Sequence, residues 1–280
     1  MWNLDYSSIR GIRAVLEENG LAASKRLGQN FLVSPEARER IVSLVGITTG
    51  SRVWEIGPGL GALTHLLLKA GAEVTAFELD HGFAKLLREK AFSDEDSFSL
   101  VEGDALETLF SVPFDADRIC GNLPYNVGSV IIARLIERGI LPDVMVFTLQ
   151  KEVADRMRAR PGEESYSSFS VLTQLDYINT IPLMIPRGCF YPEPRVESAV
   201  ILMRKRPESL VRYDKREAFI RNVRSLFSQR RKTARNNLLS SGRFSKEKVD
   251  ESLFAAHLKG TERAEALSFE ELLALSEALG

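Results

Sequence analysis

The chain has 280 residues, 44% apolar and 27% charged, which is an ordinary globular composition with room for one large domain and a small one. Lys and Arg number 37 against 38 Asp and Glu, so a net charge of −1 excludes a uniformly basic or acidic molecule. No stretch reaches the ~18 apolar residues of a membrane span, and two cysteines with three scattered histidines offer neither a disulfide framework nor a metal spacing.

Ser7 or Ser8 can cap a first helix that runs through Glu18 and ends at Gly20. Lys25 to Leu32 reads as a polar connector with two apolar anchors. Ser34-Pro35-Glu36 starts a second helix, with Ile41, Val42, Leu44 and Val45 on its apolar face. From Arg52 the pattern becomes strand, helix, strand, helix. Strands are expected at Arg52–Ile56, Glu73–Glu78, Ser97–Val101, Arg118–Gly121 and Val144–Leu149. Helices are expected at Leu60–Lys69, after Glu78 as far as Lys90, and at Ser129–Arg138, Gln150–Arg160 and Phe169–Leu175. Ile178–Pro182 and Ser198–Met203 read as a closing hairpin-like pair. This alternation indicates an α/β fold with a doubly wound, mostly parallel sheet. After Pro207 only helical spacing remains, at Lys215–Gln229, Arg231–Leu239, Lys246–His257 and Ser268–Leu279. Two domains follow, 1–207 and 208–280, with residues 1–33 as an N-terminal helix and covering segment. No basic stretch followed by an apolar run opens the chain, and the expectation is a cytosolic protein without a metal.

Two motifs carry the chemistry. Glu55-Ile56-Gly57-Pro58-Gly59-Leu60-Gly61 places a glycine turn between strand and helix, where a ligand approaches backbone that a Cβ would shield. Glu78 ends the next strand, at the spacing where an acid meets ribose hydroxyls. Asp104, followed by Ala105, ends the third and can accept from an adenine amino group. Each acid taken singly is also a plain capping or loop carboxylate. Together they line the carboxyl edge where open α/β sheets bind ligands. Asn122-Leu123-Pro124-Tyr125 taken alone reads as a turn closing a strand; following the glycine turn, it supplies a reaction, in which the Asn oxygen and a neighbouring carbonyl accept from an exocyclic amine and free its lone pair for a methyl group. Pro124 stiffens the turn, and Tyr125 offers a face to a base. Between Arg204 and Arg235 twelve Lys/Arg stand against three Asp/Glu. Such a run is either a solvated face or a nucleic-acid surface.

These motifs, with Gln29-Asn30-Phe31-Leu32, Phe190-Tyr191-Pro192-Glu193-Pro194-Arg195-Val196-Glu197-Ser198-Ala199-Val200 and Phe227-Ser228-Gln229-Arg230-Arg231-Lys232-Thr233, resemble the rRNA adenine N6,N6-dimethyltransferase family. The likeness runs from about Lys25 to the C-terminus and is strongest to its bacterial small-subunit branch. It implies a Rossmann-like class I methyltransferase with a small all-helical C-terminal domain. S-adenosyl-L-methionine is the implied donor, and the implied substrate is two adjacent adenosines near the 3′ end of 16S rRNA, in the small ribosomal subunit or its precursor. The resemblance sets Asn30, Leu32, Gly57, Gly59, Glu78, Asp104 and Ala105 around the cofactor, with Asn122 beside both sulfonium and target amine. It makes Asn122–Tyr125 the catalytic segment, with Tyr125 and Phe190 sandwiching an unstacked base; Phe190 equally reads as core. Arg221, Arg224, Arg230, Arg231, Lys232 and Arg235, spaced to share helix faces, become the RNA contacts, and a monomer is expected. One departure stands out: Glu163-Glu164 precede Tyr166-Ser167-Ser168-Phe169-Ser170-Val171, where the family usually has Gly or Ser and then Leu-Ser-Val. The rivals are a 23S rRNA adenine methyltransferase, which more often carries Ile at the position of Leu123, and a non-catalytic binding module.

Overall fold

Strands alternate with helices from residue 52 onward in the computed structural model, which describes Trp2, residues 4–24 and residues 27–280. Lys25 and Arg26, the start of the expected connector, lie outside the described residues. In chain order the first half comprises α1 (Ile9–Glu18), β1 (Phe31–Leu32), α2 (Pro35–Val45), β2 (Arg52–Ile56), α3 (Ala62–Lys69) and β3 (Glu73–Glu78). It continues with α4 (His81–Leu86), β4 (Phe98–Glu102), α5 (Ala105–Thr108), β5 (Arg118–Asn122), α6 (Gly128–Glu137) and β6 (Val144–Gln150). Then come α7 (Lys151–Arg158), α8 (Ser168–Gln174), β7 (Tyr177–Ile185), β8 (Phe190–Tyr191), β9 (Ser198–Lys205), α9 (Arg216–Leu226), α10 (Ala234–Ser240), α11 (Lys246–Ala255) and α12 (Phe269–Leu279).

The caps show why the helices start where they do. The Ser8 side chain accepts from Gly11 N–H, and Ser34 accepts from Ala37 N–H with Pro35 behind it. Helix α4 ends in a wider turn over Leu87–Ala91, so the expected helix to Lys90 is present with altered pitch. The expected helix at 231–239 starts three residues late. Helix α9 stops at Leu226, Lys232 N–H closes a turn on Gln229, and Thr233 caps α10 by accepting from Asn236 N–H. Arg230, Arg231 and Lys232 therefore lie on a turn, not on the helix faces that their spacing suggests.

Seven strands form one sheet in the order β4-β3-β2-β5-β6-β9-β7. Strands β4, β3, β2, β5 and β6 run parallel, and β9 returns antiparallel to β6, pairing Gln150 with Ser198. Strand β6 is buried along almost its whole length, as a strand covered on both faces must be. Strands β1 and β8 form a separate antiparallel pair, Leu32 opposite Phe190. The chain divides into two compact units, residues 1–154 with 180–205 and residues 155–179 with 206–280. It passes between them at 205/206, two residues before the expected boundary at 207/208, and also within α7 and β7. In the first unit Ile41, Val53, Leu67, Val74, Val146 and Val200 are core residues. A second cluster joins Ile12 and Leu16 of α1 to Phe31, Leu60 and Phe83. In the second unit α9, α10, α11 and α12 pack around Phe219, Leu238, Leu253 and Leu275. There the Arg216 guanidinium donates to both oxygens of buried Asp176, at 2.8 and 2.5 Å.

Candidate active site

The strand order reverses between β2 and β5, and a crevice opens at their carboxyl ends. Their register sets Glu55 beside Cys120. Two residues further on, Gly57 and Asn122 leave the sheet side by side, with the Asn122 carbonyl 3.9 Å from where a Gly57 Cβ would stand. Only glycine fits at 121, because a Cβ there would overlap the Ile56 carbonyl. Gly59 has φ +57, and a Cβ on it would press the Phe31 ring at 3.4 Å. The turn is thus tight and open to a ligand on one side.

The cleft at this edge is lined by Asn30, Leu32, Gly57, Gly59, Glu78, Asp104, Ala105, Asn122 and Pro124, which include every residue expected at the cofactor. Glu78 is buried; one carboxylate oxygen accepts from Gly59 N–H at 3.0 Å and the other from Asp80 N–H at 2.9 Å. Burial pushes its carboxyl above the usual range, while those two donors pull it down. Asp104 caps α5 by accepting from Leu106 N–H, so the capping role and a place at the cleft coexist. Glu55 is 1% exposed and accepts from Thr64 Oγ1 at 2.6 Å. Burial pushes its carboxyl up to about 7, and the nearby Glu78 charge adds to the rise.

Asn122 is held from one side only. Its Nδ2 donates to the Asn30 carbonyl at 2.7 Å, which fixes the amide orientation. Its Oδ1 is buried and, among the described residues, has no hydrogen-bond partner. A buried orphan acceptor costs roughly 1–3 kcal/mol and is what a site for an incoming N–H donor requires. Leu123 is core, tied by its N–H to the Thr148 carbonyl at 3.2 Å. The Pro124 carbonyl is spent on the N–H groups of Val127 and Gly128. Tyr125 hydrogen-bonds through its hydroxyl to Ser198 at the start of β9, and burial raises its pKa. Phe190 is 2% exposed, packed in the sheet core, and does not line the cleft; of its two readings the structure displays the core one.

Part of the wall comes from residues that the motifs do not mark. Tyr6 and Ile12, from the N-terminal segment, line the cleft with Leu79, Val127 and Ile131. Leu79 was legible from its place after Glu78. Nothing local marks Tyr6 or Ile12. In the second unit Arg221 pairs with Glu217 at 2.7 Å, Arg230 with Glu265 at 3.3 Å, and Arg235 with Asp250 at 2.6 Å. Lys232 donates to Ser240 Oγ at 3.1 Å, and Arg224 and Arg231 are exposed. In the divergent loop Tyr166 is buried edge-on against Phe227.

The ribosomal RNA adenine dimethylase family model matches residues 20–279. The chain belongs to that family. It is 41% identical over 284 residues to the ribosomal RNA small subunit methyltransferase A of Treponema denticola, covering 99% of this chain and 96% of the relative. The protein of that name from Bacillus licheniformis is 37% identical over 287 residues, covering 99% and 98%. Among solved structures, a dimethyladenosine transferase from Plasmodium falciparum superposes with a TM-score of 0.73 at 25% identity, over 86% of this chain and 94% of that one. The 23S rRNA methyltransferase ErmE superposes at 0.65 with 27% identity, over 89% and 99%. The family member described here is therefore a class I, S-adenosylmethionine-dependent methyltransferase. Its cleft fits that cofactor on its own geometry: a cradle without Cβ atoms, an acid at the second strand end, and an apolar wall. Among the described residues no helix is long and apolar enough to cross a membrane.

Proposed function

We propose that this dimethylase acts as a monomer on the small ribosomal subunit or its precursor, methylating N6 of two adjacent adenosines near the 3′ end of 16S rRNA twice each. The observation that carries the reading is the orphan Asn122 Oδ1 at the cofactor edge of the sheet. Gly57 and Gly59 would hold S-adenosylmethionine, Glu78 its ribose and Asp104 and Ala105 its adenine, and the bound cofactor would supply an electrophilic methyl group. Asn122 accepts a hydrogen bond from the target amine, drawing the nitrogen out of conjugation with its ring. The Asn30 carbonyl keeps the amide from turning away, so the acceptor is in place before the base arrives. No general base is assigned, because the aminium formed is acidic enough to lose its proton to water. Ser198 fixes the Tyr125 ring, which offers its face to the unstacked base. The exposed cation Arg231 supports phosphate contact, and the ion-paired Arg221, Arg230 and Arg235 add less field than their number suggests.

The test is methyl transfer to small subunits lacking these methylations, with large subunits as control. Label confined to two adjacent N6,N6-dimethyladenosines in the small subunit supports the assignment; label on large subunits favours the 23S alternative. Asn122→Ala should lower turnover by about 10²–10³, the usual cost of one preorganised hydrogen bond to the reacting group, and wild-type transfer by this variant would end the catalytic reading.

A further inference from the structure

Arg38 sits one turn into α2 with 7% of its surface exposed. A cation near a helix N-terminus opposes the helix dipole, and an aliphatic side chain would fill the space more cheaply. Among the described residues no carboxylate pairs with it. Instead Nη1 donates to the Tyr6 carbonyl at 2.8 Å and the Leu32 carbonyl at 3.1 Å, and Nη2 donates to Ser7 Oγ at 2.9 Å. The guanidinium also lies over the Tyr6 ring, 5.7 Å from its centroid. Two segments far apart in sequence are joined at this one group. One leads into α1 and sends Tyr6 and Ile12 to the cleft; the other is β1, which sends Leu32 there. Among the described residues the only sheet partner of β1 is the two-residue β8, so its position depends on such ties.

We propose that Arg38 is a positioning residue for the cofactor, clamping the N-terminal segment to β1 so that Tyr6, Ile12 and Leu32 form one wall of the S-adenosylmethionine cleft. This rests on the cleft being the cofactor site. A side chain that merely filled the core would lower thermal stability and leave the cofactor affinity of the folded protein unchanged. A clamp would raise the cofactor Kd and KM while sparing kcat at saturation.

Calorimetric binding of S-adenosylmethionine and steady-state kinetics on folded, full-length variants separate the two. Arg38→Leu should weaken cofactor binding at least about ten-fold, as loss of charge-assisted hydrogen bonds implies, with kcat within about two-fold of wild type. Arg38→Lys, with one nitrogen in place of two, should fall between. Ser7→Ala should cost about two- to three-fold, and much less in the Arg38→Leu background, because the two groups share a bond. Wild-type cofactor affinity in folded Arg38→Leu overturns the proposal; if that variant does not fold, wild-type affinity in both Arg38→Lys and Ser7→Ala overturns it. Failure of the wild-type protein to bind S-adenosylmethionine would instead remove the cofactor-site reading beneath it.

Discussion

Replacing Glu55 with glutamine should change how stability depends on pH, and the structure sets the size of the change. The carboxyl is 1% exposed with a single side-chain donor, Thr64 Oγ1, so burial dominates and holds its pKa at about 7 instead of 4.5. Between those values the folded protein keeps a proton that the unfolded chain has released, so stability falls as pH rises through the window. The loss is complete above the folded value. The interval from 4.5 to about 7, at about 1.4 kcal/mol per unit, amounts to roughly 3 kcal/mol. Glutamine cannot ionise, so the cofactor-free variant should gain about that much on wild type between pH 5 and pH 8. Glu78 is shifted in the same direction but is present in both proteins, so its contribution largely cancels in the difference. Urea denaturation at several pH values, with unchanged m, measures the gap. Parallel profiles, diverging by less than about 1 kcal/mol, would refute the reasoning and mean that Glu55 ionises in the cleft as freely as in water. Binding of the cationic cofactor should favour the ionised carboxylate and release protons near pH 6–7. Calorimetry in buffers of different ionisation enthalpy detects that release, and Glu55→Gln should lower it.

Two further outcomes follow from single contacts. Ser198→Ala strips Tyr125 of its hydroxyl partner, and Tyr125→Phe removes the need for one. The double variant should therefore lose less turnover than the two singles predict, by a coupling of about 1 kcal/mol; additive effects would show that the contact does not position the ring. Asp176→Ala leaves the buried Arg216 guanidinium without its carboxylate and should destabilise the second unit by about 3–5 kcal/mol. Scanning calorimetry reads this directly, and a loss below about 1 kcal/mol would mean that water replaces the carboxylate.

The pairing of the cations bears on how the basic run is read. Twelve Lys/Arg against three Asp/Glu between residues 204 and 235 suggest a strongly positive surface. The acids that answer Arg230 and Arg235 come from outside that window, as Glu265 and Asp250. A local charge count therefore overstates the field, since screening by a partner depends on where the chain returns.

The sequence by itself determined the features that are local. The glycine turn after β2, the acids at successive strand ends and the Asn122–Tyr125 segment lie where alternation and spacing place them, because backbone conformation and strand period are set within a few residues. Tertiary structure alone decided which side chains meet. The bond from Asn122 to the Asn30 carbonyl spans 92 positions, and the Arg38 clamp to Tyr6 spans 32. Phe190 lies in the core because β8 pairs with β1, a ladder too short to leave a period in the sequence. Residues 155–179 group with the distant helices partly through Asp176 and Arg216, forty positions apart. Periodicity tells a residue which face of its element it occupies; what stands opposite that face is settled only when the elements pack.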